Sequence, residues 1–153
     1  GRARFHVAHR QAPAEEPNAE YPLYLTTGRL LAHYQSGTQT RRVPELEQLA
    51  PVPIAQVHPT TARNYNLSDG GQVLLATQRA TARFIVQVTT QVQKDTIFVP
   101  FHWGGEGAVN RLTNPALDPI SRMPEFKVCA VRVQRLALGK GDYREAEVET
   151  TRG

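Results

Sequence analysis

Between residues 26 and 42 the chain reads TTGRLLAHYQSGTQTRR, which holds hydroxyls, amides, an imidazole, two glycines and three arginines but no carboxylate. Hydroxyls, backbone N–H groups and guanidinium are the donor types a phosphate requires, and the lack of acids keeps the local field positive. Gly28 would let the backbone come close to a ligand. A solvated loop that carries arginine for solubility has the same composition, so composition alone leaves both readings open.

A second acid-poor stretch, PFHWGGEGAVNRLTNPALDPISRMPEFK, covers residues 100–127. It shows no helix or strand pattern and is long for a compact domain, which favours a functional loop. Phe101, His102 and Trp103 stand together before a pair of glycines, a grouping suited to stacking on a flat heterocycle and equally to plugging a core. Asn110, Thr113, Asn114 and Asp118 would either form local turns or hydrogen-bond the edge of a base or pterin. Lys127 is either a solvated charge or a phosphate contact.

Other chemistry lacks its residues. GGEGAVN and LGKGDYR begin like phosphate loops, but neither completes the glycine-rich patterns. No nucleophile elbow surrounds Ser36 or Ser121. One cysteine in the chain provides no thiolate cluster, so a zinc or iron–sulfur site within it is not expected. Cys129, in VCAVRV, shares strand parity with Val131 and Val133 and is read as a small core residue.

The elements that must position these loops are mostly strands. Short β-branched or alternating runs fall at 23–27, 54–58, 72–77, 83–89, 96–100 and 128–133, separated by Gly, Pro, Asn or Asp. Helical signal is confined to PELEQLA (44–50) and PTTARNYN (59–66). These patterns predict a mainly-β domain with short helices, a barrel more than a sandwich. Residues 1–20 have the composition of a surface connector, 21–136 form the domain, and 137–153 form a charged tail. Starting without Met on a basic segment and ending in that tail, the chain reads as a terminal piece of a larger protein. The absence of an eighteen-residue apolar run argues against a membrane span, and a net charge of +4 would suit a polyanion only modestly. The lone cysteine fits a reducing, cytoplasmic compartment.

Three blocks in order, YPLYLTTGRLLAHYQSGTQTRRVPEL, HPTTARNYNLSDGGQVLLAT and VPFHWGGEGAVNRLTNPALDPISRMPEFKVCAVRV, resemble the C-terminal dinucleotide-binding domain of bis-guanylate molybdenum oxidoreductases. Within that family the likeness is to the prokaryotic assimilatory nitrate reductases. The resemblance implies a six-stranded double-psi β-barrel whose two polar loops hold one molybdopterin guanine dinucleotide. It assigns cofactor contacts to Thr27, Gly28, Arg29, His33, Gln35, Ser36, Thr38 and Thr40 of the first loop, and to Asn110 and Lys127. Phe101 aligns with an aromatic near the substrate route. FHWGG departs from related periplasmic enzymes, so no role carries onto His102 or Trp103. No catalytic residue and no metal ligand is assigned to this chain; molybdenum ligand and iron–sulfur cysteines belong to earlier domains. The implied partners are those domains of the same catalytic subunit and an electron-donor protein or subunit, without nucleic acid or membrane. The alternatives are the same domain of a formate dehydrogenase, or a barrel module for nucleic acid or peptide. The basic pI slightly favours the latter, while the gathering of aromatics and arginines in two loops disfavours it.

Overall fold

A computed structural model describes residues 2–7, 9 and 11–136; the charged tail expected at 137–153 lies outside them. Six strands, β1 (Leu23–Gly28), β2 (Ile54–Val57), β3 (Gln72–Ala76), β4 (Thr81–Val88), β5 (Thr96–Pro100) and β6 (Cys129–Arg135), close into a barrel in the order β1-β5-β2-β4-β3-β6. Twice a later strand inserts between two earlier consecutive ones: β5 between β1 and β2, and β4 between β2 and β3. This is the double-psi form of the barrel. Closure leaves no exposed strand edge, the usual liability of a small sheet protein.

Alternation in the sequence decides which side chains enter the barrel. Leu23 and Leu25 of β1, Ala82, Phe84 and Val86 of β4, and Ile97 and Val99 of β5 point inward and are buried, with Val57, Val73, Leu75 and Val131 completing the core. Cys129 is fully buried there, and burial pushes its thiol pKa up. Two short helices lie in the connections on either side of β2. In α1 (Pro44–Leu49), Pro44 opens the first turn, where Glu45 and Glu47 suit the helix dipole. In α2 (Pro59–Asn64), the first turn is capped by His58, whose Nδ1 accepts from the Thr60 amide at 3.1 Å.

The N-terminal segment is more than the surface connector its composition suggests. Glu15 accepts two hydrogen bonds from the Arg79 guanidinium, at 2.6 and 3.0 Å, and one from the Ala130 amide at 2.6 Å. Arg79, in the turn between β3 and β4, also donates to the Leu112 carbonyl at 2.8 Å. A composition-based reading passes over Glu15 because its partners lie 64 and 115 residues away.

Candidate functional site

The parallel pairing of β1 and β5 sets the position of the site. Their register aligns Thr27 with Val99 and Gly28 with Pro100, so both strands finish at the same end of the barrel. Both polar loops therefore leave that end side by side, which a hairpin pairing would not allow. The glycine at the end of β1 has a packing reason. A Cβ at Gly28 would lie 2.4 Å from the Phe98 ring, so the aromatic on the neighbouring strand already excludes any side chain.

Three residues at this end form a cationic group. The Arg29 guanidinium lies 5.6 Å from the centre of the Phe101 ring, and the Lys127 ammonium lies 5.9 Å from that same ring. Lys127 donates to the Thr27 carbonyl at 2.7 Å and approaches Phe126 at 5.0 Å. Its pKa is lowered from the usual lysine value, first by burial and then by repulsion from Arg29. Neither Arg29 nor Lys127 forms a salt bridge among the described residues; the ion pairs there are Arg79–Glu15, Arg83–Glu106 and Arg132–Glu20. On its other side Lys127 borders an open groove of about 600 Å³ with Tyr24, Thr26, Thr96 and Glu125. Glu16 and Glu125 make that groove a poor host for an anion.

Within the first loop, several expected contact residues bind the loop to itself. His33 is buried; its Nε2 donates to the Ala50 carbonyl at 2.8 Å, and its Nδ1 pairs with the Thr40 hydroxyl at 3.0 Å. Thr40 also accepts from the Tyr34 amide at 3.3 Å. Both nitrogens of His33 thus serve the chain, as a satisfied interior histidine does. Thr27 is buried too, its hydroxyl 3.5 Å from the Phe126 carbonyl. Gln35 and Gly37 take left-handed backbone, with φ of 50° and 76°, and fold the loop into a tight turn. The Gln35 side chain accepts from Arg29 at 3.3 Å, and the exposed Ser36 and Thr38 hydroxyls pair at 2.8 Å.

The structure thus brings Thr27, Arg29, Gln35, Phe101 and Lys127 to one place. His33 and Thr40 sit in the loop interior. Asn110 lies on a 3-10 turn, Val109–Arg111, in the second loop, and its carbonyl accepts from Thr113 at 3.1 Å. The other polar residues of that loop are turn-formers. Asn114 is buried, donating to the Glu125 and Val128 carbonyls at 2.9 and 2.8 Å and accepting from the Ala116 amide at 2.9 Å. Asp118 accepts from the amides of Ile120 and Ser121, and these bonds to Ser121 lower its pKa.

Two residues left without a role in the sequence turn out to organise the loop. His102 is 1% exposed; its Nε2 accepts from the Leu30 amide at 2.8 Å, and its Nδ1 donates to the Gln35 carbonyl at 2.5 Å. Trp103 is buried with its ring edge-on to His33 at 5.5 Å, and Arg41 lies 5.4 Å above it while donating to the His102 carbonyl. Trp103 therefore plugs the loop from beneath. The sequence offered one signal, the run FHW at a strand end, but not its partners.

Two unneutralised cations over an aromatic ring, with exposed hydroxyls on the same loop as Arg29, can hold an extended anion with a flat portion. That chemistry fits a ligand carrying phosphates and a ring system: repulsion between Arg29 and Lys127 is relieved when an anion lies between them. Fold and site together define a double-psi barrel whose cationic, aromatic-backed group at the paired ends of β1 and β5 suits a phosphate-bearing ligand.

Comparison with known proteins narrows the class. Residues 23–130 match the family described as "Molydopterin dinucleotide binding domain". The chain is 45% identical over 121 residues to the assimilatory nitrate reductase catalytic subunit of Bacillus subtilis, covering 79% of this chain and 17% of that protein. It is 35% identical over 136 residues to the F420-dependent formate dehydrogenase subunit alpha of Methanocaldococcus jannaschii, covering 89% of this chain and 20% of that subunit. The acetylene hydratase of Pelobacter acetylenicus shares the fold, with a TM-score of 0.67 at 22% identity over 76% of this chain and 19% of that one. The chain belongs to the molybdopterin dinucleotide-binding domain family. Its ligand class is molybdopterin guanine dinucleotide, and the chain spans about a fifth of the length of its curated relatives.

Proposed function

We propose that this chain is the domain of a nitrate reductase catalytic subunit that secures one of the subunit's molybdopterin guanine dinucleotides. The observation that carries the reading is the Arg29–Phe101–Lys127 group, two cations on one ring with no salt bridge among the described residues. When bound, the cofactor supplies the molybdenum that exchanges electrons with substrate. The chain's own residues bind and orient. Arg29 and Lys127 offset the phosphate charge, while Phe101 gives an apolar surface beside the substrate route. Ser36, Thr38 and Asn110 offer exposed polar groups on the same two loops. Among the described residues the site holds no acid–base pair arranged to move a proton, and the contribution we assign to the domain is placement and electrostatic environment.

Nitrate is favoured over formate by the higher identity to the nitrate reductase, 45% against 35%. In the full-length protein, each nitrate would take up two electrons and two protons to leave nitrite and water. The remaining domains of the subunit would provide the metal ligand and cluster, with an electron donor and a cytoplasmic setting. Among the described residues, no helix is long and apolar enough to cross a membrane. Assaying the full-length protein with reduced dye and nitrate, and separately with formate and oxidised dye, tests the reading. Nitrite formation is expected; formate oxidation without nitrate reduction would move the domain to the formate dehydrogenases.

A further inference from the structure

We infer that His102 is a positioning residue for the first loop: a neutral imidazole, hydrogen on Nδ1, that bolts residues 30 and 35 to the end of β5 and lets go of Leu30 in acid. The geometry fixes the tautomer. A backbone amide only donates and a carbonyl only accepts, so the Leu30 N–H at 2.8 Å needs a lone pair on Nε2, and the Gln35 carbonyl at 2.5 Å needs a hydrogen on Nδ1. One ring thus holds both sides of a turn, and the carbonyl of the same residue receives Arg41.

The bolt sits where the backbone most needs one. Gln35 is not glycine, yet its φ is 50°, a conformation that is unfavourable for a residue with a side chain and persists only when its surroundings impose it. Holding the Gln35 carbonyl is such an imposition. Gln35 in turn accepts from Arg29, and Arg29 lies over Phe101, whose ring is 5.1 Å from that of His102. His102 therefore reaches Arg29 through Gln35, and its ring also packs beside that of Phe101.

Protonation of Nε2 would remove the acceptor for Leu30 and place a charge in a 1% exposed position. The titratable and charged groups acting on the ring are His33, whose ring is 5.6 Å away, Arg41 and Arg29, with no carboxylate among them. Burial first, and repulsion from these neighbours after it, lower the His102 pKa against the opposing pull of the Gln35 carbonyl. The neutral form is thus held at neutral pH. Its loss begins only below the ordinary histidine range, and then acts on the loop rather than on the barrel.

That the loop bound in this way is the cofactor loop rests on the function proposed above; the bolt does not. The 153-residue chain is labelled with ¹⁵N, and the ring nitrogens of His102 and the exchange protection of the Leu30 amide are followed from about pH 7.5 to about pH 5. The expected result is Nδ1–H with unprotonated Nε2 at the upper end. Leu30 protection should then fall roughly tenfold as the ring protonates, the size of one lost hydrogen bond, while core amides such as Val86 hold. His102→Phe, which fills the space without either bond, should show the low Leu30 protection at every pH, and His102→Gln should restore part of it. An Nε2–H tautomer in the wild type, or Leu30 protection that holds once the ring nitrogens show the imidazole protonated, would overturn the proposal even if His102→Phe failed to fold. A separate arm measures cofactor content of the full-length His102→Gln protein, which should fall. Loss of Leu30 protection with full cofactor content would refute the link to the cofactor and leave the bolt standing.

Discussion

Replacing Glu15 tests whether the N-terminal segment is part of the folded unit or only lies on it. Glu15→Ala removes both acceptors of Arg79 and leaves the fully buried Ala130 amide without a partner. An unsatisfied buried amide costs about 1–3 kcal/mol. The ion pair adds about 1–2 kcal/mol rather than the full cost of a broken interior pair, because Arg79 is 25% exposed at its side chain and keeps the Leu112 carbonyl. The total is about 2–5 kcal/mol, which for a chain of this size lowers Tm by about 4–20 °C. Glu15→Gln retains an acceptor for Ala130 and should lose about half as much. The pH dependence separates charge from shape. Burial raises the Glu15 pKa, but the hydrogen bonds from Arg79 and Ala130 outweigh it and set the net value below 4.5. The unfolded chain therefore binds the proton more readily, so this stabilisation is full above about pH 4.5 and is lost as pH falls through the lower folded value. Urea titrations of wild type, Glu15→Ala and Glu15→Gln at about pH 7 and about pH 3.5 measure both effects. A loss under about 0.5 kcal/mol for Glu15→Ala, or the same acid destabilisation in Glu15→Gln as in wild type, would refute the reasoning.

Two further outcomes follow from the site. Gly28→Ala should cost about 1–3 kcal/mol by forcing its Cβ against Phe98, and Gly28→Ala with Phe98→Leu should recover part of that loss in thermal melts. Arg29→Ala should raise the Lys127 pKa towards its ordinary value without reaching it, because burial is the larger cause and remains; side-chain NMR of Lys127 reads the change, and an unmoved titration would show that the two cations do not interact.

The barrel was largely readable from the sequence because strands advertise themselves locally. Alternation in RFIVQVT and the LSDGGQV turn place β4 and the entry to β3 within a residue or two of their observed bounds. Position in the chain also marked both polar loops, since each follows a strand. Parallel pairing of β1 with β5, which brings them together, is a long-range property that no short window contains. The same limit hid His102, whose two partners lie 72 and 67 residues away, and made His33 look like a ligand donor. A histidine in a polar loop is compositionally identical whether its nitrogens face a ligand or, as with Ala50 and Thr40, its own chain. Gly28 carried a similar ambiguity: the need for a missing side chain was visible, but the Phe98 ring that creates it was not.

The central claim, that Arg29 and Lys127 hold the dinucleotide, is tested most directly by cofactor content. Wild type, Arg29→Ala, Lys127→Ala and the double variant of the full-length protein would be purified in parallel. Released pterin and guanine nucleotide per polypeptide are then measured, with thermal melts to confirm that the barrel is intact. Two charge-assisted contacts at about 1.5–3 kcal/mol each should leave the single variants depleted and the double variant with little cofactor, while the barrel still melts cooperatively. Full cofactor content in the double variant would contradict the account.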